Sequence, residues 1–158
     1  MKKLKLYVET SVWSHLLAED APESRAATEA FFREIGQYEI YISQLVKIEI
    51  GNTRDARKRE ALSQLVQQYG PVEIELTDEA AALARRYLDE GVVARSAKDD
   101  ALHVATATVE ELDVIVSLNM RHIVSLKTRR GINAVNALAG YRPIEIATPQ
   151  EVAIHGED

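Results

Sequence analysis

The chain has 158 residues, 46% hydrophobic and 28% charged, with a formal charge of −6 and no cysteine. This excludes disulfides, thiolate metal sites and cysteine nucleophiles together, and no stretch reaches the roughly 18 apolar residues of a membrane-spanning helix. Lys2, Lys3 and Lys5 are basic, but Glu9 arrives before any apolar signal region develops, so a cytoplasmic location with no membrane partner is expected.

Leu4–Val8 reads as a short, fully buried first strand, with Thr10 or Ser11 capping a helix after it. Pro22–Ile35 has helical spacing of Ala26, Ala27, Ala30 and Phe31, and Gly36 ends it. Glu39–Ile42 is the second strand, and Ser43 resembles the cap of a helix running to Gly51. Another helix starts at Thr53 or Arg54 and stops at Gly70-Pro71. Val72–Leu76 is a third strand, and Thr77-Asp78-Glu79 has the cap and acidic first turn of a helix reaching Glu90. Ser96 opens the next helix, Asp113–Ser117 is the fourth strand, and Arg121–Leu138 reads as mostly helical, weakened at Gly131 and closed by Gly140. Pro143–Ile146 is a fifth strand. Strands alternating with helices imply an α/β class with a parallel sheet covered on both faces. Residues 1–150 form a single domain on this reading, and 151–158 a flexible tail.

In such sheets ligands sit beyond the carboxyl ends of the strands. Glu9 directly follows strand one, Asn119 follows strand four, Asp100 lies in the first turn of a helix, and Glu49 lies in the helix after strand two. Singly, each has an ordinary explanation: a strand-end charge, a helix cap, a favourable first-turn charge, a surface ion pair with Lys47 or Arg54. Together they point to one acidic pocket, which repels itself unless a cation or raised pKa values relieve it. Hard oxygen ligands select Mg²⁺ or Mn²⁺, an ion suited to phosphodiester chemistry. The acidic balance argues globally against nucleic acid. Two basic islands, RDARKR at 54–59 and RHIVSLKTRR at 121–130, nevertheless offer partners for phosphates; the plainer reading of each is a solvated helix face.

At these residues the sequence resembles the PIN-domain family, metal-dependent ribonucleases that include the toxins of bacterial and archaeal toxin–antitoxin pairs. LYVETSVWSHL resembles the family's first strand, an apolar run ending in an acid followed by Thr or Ser. ISQLVKIEIG resembles the helix carrying the second acid, and DDALHVATA, the most specific element, the one carrying the third. DVIVSLNMRHIVSL resembles the fourth segment, and NAVNALAGYRPIEIATPQEV is similar to the tail of one subgroup.

The resemblance implies a three-layer α/β/α sandwich around a parallel sheet of four to five strands, with one or two Mg²⁺ or Mn²⁺ ions. Carried over by position, the metal ligands are Glu9, Glu49 and Asp100, with Asn119 in the fourth catalytic position. Thr10 or Ser11 stands where the family places a small hydroxyl beside the metal; on the nuclease reading Arg121 and Lys98 position phosphate oxygens, and His122 contacts RNA or phosphate or else is a capping histidine. Asp99 projects about 100° from Asp100 and is read as an outer or capping group. The resemblance also implies an RNA substrate, a cognate antitoxin and a homodimer. Two positions depart from the family: Glu9 stands where Asp is usual, adding a methylene, and Asn119 where many members have Asp, which weakens a second ion.

His103, three residues after Asp100, reads as a buried helix histidine hydrogen-bonded near the sheet, and Trp13 as core. Two other classes fit less well. A PIN fold without turnover, acting as an RNA- or protein-binding module, draws its support from Asn119. A phosphoryl-transfer protein of the receiver or haloacid-phosphatase type needs an Asp directly after strand one, and Glu9 stands there instead.

Overall fold

A strand covered on both faces is apolar throughout rather than alternating. The segments KLYV and VIV obey this: in β1 (Lys5–Val8) the last three residues are buried, and β4 (Val114–Val116) is buried throughout. The computed structural model describes residues 2–20, 22–119 and 122–156. Its five strands are all parallel, in the order β3-β2-β1-β4-β5, with β2 at Glu39–Ser43, β3 at Val72–Ile74 and β5 at Glu145–Ala147. Leu6 pairs with Ile40 on one side and Val114 on the other, so β1 is central.

The chain runs outward from β1 through β2 to β3, then returns past β1 to β4 and β5. Right-handed crossovers place the helices of the outward and return paths on opposite faces. The contacts agree. α1 (Thr10–His15), α2 (Pro22–Arg33), α3 (Gln44–Gly51) and α4 (Ala56–Tyr69) pack among themselves, while α5 (Asp78–Asp89) packs on α6 (Lys98–Val109) and α7 (Leu126–Ala139). The result is the three-layer α/β/α sandwich.

The first helical layer is fastened by aromatic rings. Trp13 is fully buried, donates its indole N–H to the Val8 carbonyl at 3.1 Å, and lies 5.1 Å from Phe32 and 6.1 Å from Tyr69 between ring centres. These tilted separations are the favoured ones for aromatic pairs. The second layer depends on a glycine. α7 runs unbroken through Gly131, where a Cβ would fall 2.8 Å from Val92 Cγ1, so the missing side chain lets α7 close onto the segment after α5. The tail motif NAVN is also structural. Asn133 donates to the Ile144 carbonyl and accepts from the Ile144 N–H, both at 2.8 Å, tying α7 to the approach of β5.

Several boundaries differ from the sequence expectations. Glu9, not Thr10 or Ser11, caps α1, because its side chain turns back to accept the Ser11 N–H. α4 begins two to three residues late, capped by Asp55, whose carboxylate accepts two first-turn N–H groups. Helix α7 starts at Leu126 instead of Arg121. Ser125 caps it, and the Asn119 carbonyl takes the N–H groups of Ile123 and Val124 in a turn before it. Residues from 151, read as tail, continue in α8 (Pro149–Gly156), which packs on α2 with Val152 buried. Among the described residues no helix is long and apolar enough to cross a membrane.

Candidate active site

Strand order reverses between β1 and β4, and a doubly wound sheet opens a crevice at the carboxyl ends of such a pair. Glu9 leaves β1 at that point and Ser117 leaves β4. Their backbones are joined there, the Glu9 N–H donating to the Val116 carbonyl at 3.0 Å.

Glu9 is almost fully buried, and its Oε2 is saturated with donors: the Ser11 N–H at 3.1 Å, the Ser11 hydroxyl, and the Ser117 hydroxyl at 3.0 Å. Each of those hydroxyls accepts a backbone N–H from the end of β4, Ser11 from Leu118 and Ser117 from Asn119, both at 3.0 Å. Two amide dipoles are thereby relayed to one carboxylate oxygen. Oε1 faces the other way, 4.0 Å from His103 Nε2. Burial raises the Glu9 pKa above its ordinary value; His103 and the Ser11 hydrogen bond oppose that rise, and the Asp100 charge adds to it.

Glu49 comes from the last turns of α3. Its Oε1 accepts from the Thr10 hydroxyl at 2.6 Å and from His103 Nε2 at 2.5 Å. Its partial burial favours the neutral acid, but the His103 and Thr10 contacts outweigh burial, and its pKa is lowered. His103 comes from α6, fully buried, with Nδ1 2.6 Å from the Tyr7 hydroxyl. Burial opposes its charge, yet the hydrogen bond to Glu49 and the charges of Glu9, Glu49 and Asp100 raise its pKa. Glu9, Glu49 and His103 each offer one ligand atom, all within 4.8 Å of one another.

Asp100 is set slightly apart. Its Oδ2 accepts from the Asn119 amide at 2.7 Å and lies 3.0 Å from His122 Nδ1. Its charge nevertheless acts on both Glu9 and His103. The four polar residues singled out at the sheet edge therefore fall into two adjoining clusters, Glu9–Glu49–His103 and Asp100–Asn119–His122. Thr10 and Ser11 each serve one acid of the first cluster. Asp99 and Lys98 are exposed in the first turn of α6, and Asp99 is outside both clusters. Arg121 lies outside the described residues.

Sequence spacing presents His103 as structural and does not single out Tyr7 or Ser117. A faint signal exists for His103, which stands at helical spacing from Asp100 on the stripe that includes Val104 and Ala107, both fully buried. Ser117 and Tyr7 require the strand pairing to be known. The donor set fits a hard divalent cation: carboxylate oxygens suit Mg²⁺ or Mn²⁺, and a cation relieves the burial that disfavours ionised Glu9.

Among solved structures the chain is similar to VapBC2 from Rickettsia felis bound to a DNA fragment from their promoter. That likeness has 10% identity and a TM-score of 0.54, covering 92% of this chain and 98% of that one. It is also similar to VapC20 of Mycobacterium tuberculosis, a Sarcin-Ricin loop cleaving toxin, with 14% identity and a TM-score of 0.55, covering 70% of this chain and 86% of that one. A search of the curated proteins finds no match. The PIN domain family model matches residues 6–124, a span that runs from β1 past Asn119 and takes in both clusters. The chain belongs to the PIN domain family.

Proposed function

We propose that the protein is a Mg²⁺- or Mn²⁺-dependent endoribonuclease, the toxin of a toxin–antitoxin pair. The observation that carries this is the convergence of Glu9 and Glu49, from segments forty residues apart in the chain, at the switch point of the sheet, with the Asp100 charge acting on the same place. Glu9, Glu49 and Asp100 would hold the ion, as the family resemblance implies. When bound, such an ion activates water and offsets charge developing on phosphate oxygens.

The chain's own groups do the rest. The Ser11 and Ser117 hydroxyls pin one oxygen of Glu9, leaving Oε1 toward the pocket. Thr10 and His103 do the same for Oε1 of Glu49. Asn119 fixes Asp100 through its amide, leaving the other oxygen of Asp100 outside that bond. His122, about one-third exposed beside Asp100, is available to a phosphate. Arg54, Arg57 and Lys58 are exposed at the start of α4 and available to flanking phosphates. The neighbours support the reading of partners: one is VapBC2 bound to promoter DNA and the other a Sarcin-Ricin loop cleaving toxin. An antitoxin and a homodimer follow from the same reading, as does a cytoplasmic location.

A second reading, a PIN fold that binds RNA or protein without turnover, is favoured by one observation: Asp100 Oδ2 is already engaged by Asn119 and His122. Purified protein incubated with structured and single-stranded RNA separates the two. Cutting with Mn²⁺ that stops with EDTA and is lost in Asp100→Asn supports the nuclease; retained RNA binding with no metal-dependent cutting supports the module.

A further inference from the structure

His103 lies within ligand distance of two carboxylates, yet its hydrogen bonds assign it another task. A carboxylate oxygen accepts, as Glu49 Oε1 also does from the Thr10 hydroxyl, so the 2.5 Å contact places a proton on His103 Nε2. That holds whether the ring is neutral or charged. A nitrogen carrying a proton has no lone pair for a cation. The other side of the ring is equally engaged. Nδ1 shares a hydrogen bond with the Tyr7 hydroxyl at 2.6 Å, and Tyr7 shares one with the Ser43 hydroxyl at 2.7 Å. Ser43 accepts the Leu45 N–H at 3.1 Å, as the cap of α3.

The chain of bonds thus leaves the start of α3, crosses β1 at Tyr7, reaches α6 at His103 and returns to Glu49 near the end of α3. We infer that His103, held by Tyr7 and Ser43, is a positioning residue that fixes the Glu49 carboxylate for a cation and stays outside the ion's own coordination. This rests on the reading of Glu49 as a cation ligand. Outer partners of metal-binding carboxylates matter because they set which oxygen faces the ion; losing one costs about 10–100-fold in affinity or activity.

Histidine ¹⁵N spectra of the whole protein, recorded without metal and with saturating Mg²⁺, read the ring directly. Nε2 should carry its proton in both. Mn²⁺ affinity by calorimetry gives the second readout. His103→Ala should weaken binding about 10–100-fold. His103→Gln, whose amide N–H reaches the same place, should restore most of that loss, and Tyr7→Phe should weaken binding while leaving the carboxylates untouched. Thermal unfolding of each variant confirms that it is folded.

An Nε2 that loses its proton on adding Mg²⁺, or a Gln variant as weak as the Ala variant, overturns the positioning role while the cation reading stands. A wild-type protein that binds no Mn²⁺ overturns the cation reading and the inference with it.

Discussion

The two halves of the site are built on different terms. Glu9 and His103 are enclosed: the side chains are 6% and 0% exposed, with Glu49 at 28% on their outer side, and their bonds run to hydroxyls and amides at the sheet edge. Asp100, Asn119 and His122 stand nearer the opening, with Asp100 at 13% and His122 at 35%. In the enclosed half, negative charge is held by dipoles that burial fixes in place. In the open half, it is held by an amide and a half-exposed ring that solvent can partly replace. Removing the buried Glu9 charge should therefore disable the site, and changing Asn119 beside Asp100 should adjust it.

The sharpest way to break this contrast is Glu9→Gln. Metal-dependent RNA cleavage should fall by more than about 100-fold, beyond what loss of an outer partner costs. The metal-free protein should keep its melting temperature or gain a little, since the amide oxygen can still accept from Ser11 and Ser117 while a buried charge disappears. A variant that still cuts RNA removes Glu9 from the machinery.

Asn119→Asp probes the open half. It replaces a donor 2.7 Å from Asp100 with a second carboxylate. The metal-free protein should lose about 1–3 kcal/mol, by the cost of an unpaired or repelled polar group, and Mg²⁺ should return much of it. Equal melting curves with and without Mg²⁺ would sink this.

A pH series follows from burial. Glu9 and His103 both have pKa values raised above the ordinary 4.5 and 6.5. Groups raised in this way stabilise the fold fully below those ordinary values, and that contribution is lost as pH climbs through the folded values. Glu49 is lowered, so its own contribution to stability changes below 4.5, outside this window. Metal-free protein should therefore lose stability as pH rises above 4.5, while Mn²⁺ affinity rises by up to about tenfold per pH unit until Glu9 is ionised. Calorimetric titrations at several pH values showing a flat affinity contradict it.

The smallest effect belongs to Asp99→Asn. Asp99 is exposed beside Asp100 but projects away, and its loss should change stability by less than about 0.5 kcal/mol. A large loss of cleavage would place it among the working residues.

Much of the enclosed half is legible in the sequence because it follows local rules. A carboxylate at the tip of an apolar run in a parallel sheet marks the carboxyl edge, and Ser43 is readable as a cap. The bonds that aim these carboxylates are not legible, because Ser117 reaches Glu9, and Tyr7 reaches His103, only once β1 lies beside β4 and under α6. Spacing alone gives His103 the same look as any inward-facing helix residue. In the open half, the stretch from Arg121 to Leu138 reads as mostly helical in the sequence. The structure begins it at Leu126, since the Asn119 carbonyl captures the preceding N–H groups first.

The central pairing of β1 with β4 also sets when the pocket can exist during synthesis. The first strand leaves the ribosome early, yet its neighbour on one side is made only after residue 113, and the serine that steadies Glu9 is residue 117. A chain cut short before that point can pair β1 with β2 and fold its first helices, but it lacks one wall of the crevice and the Ser117 hydroxyl that donates to Glu9. Truncated products of this length should be inert, so any activity of the site first arises after residue 117 has been made.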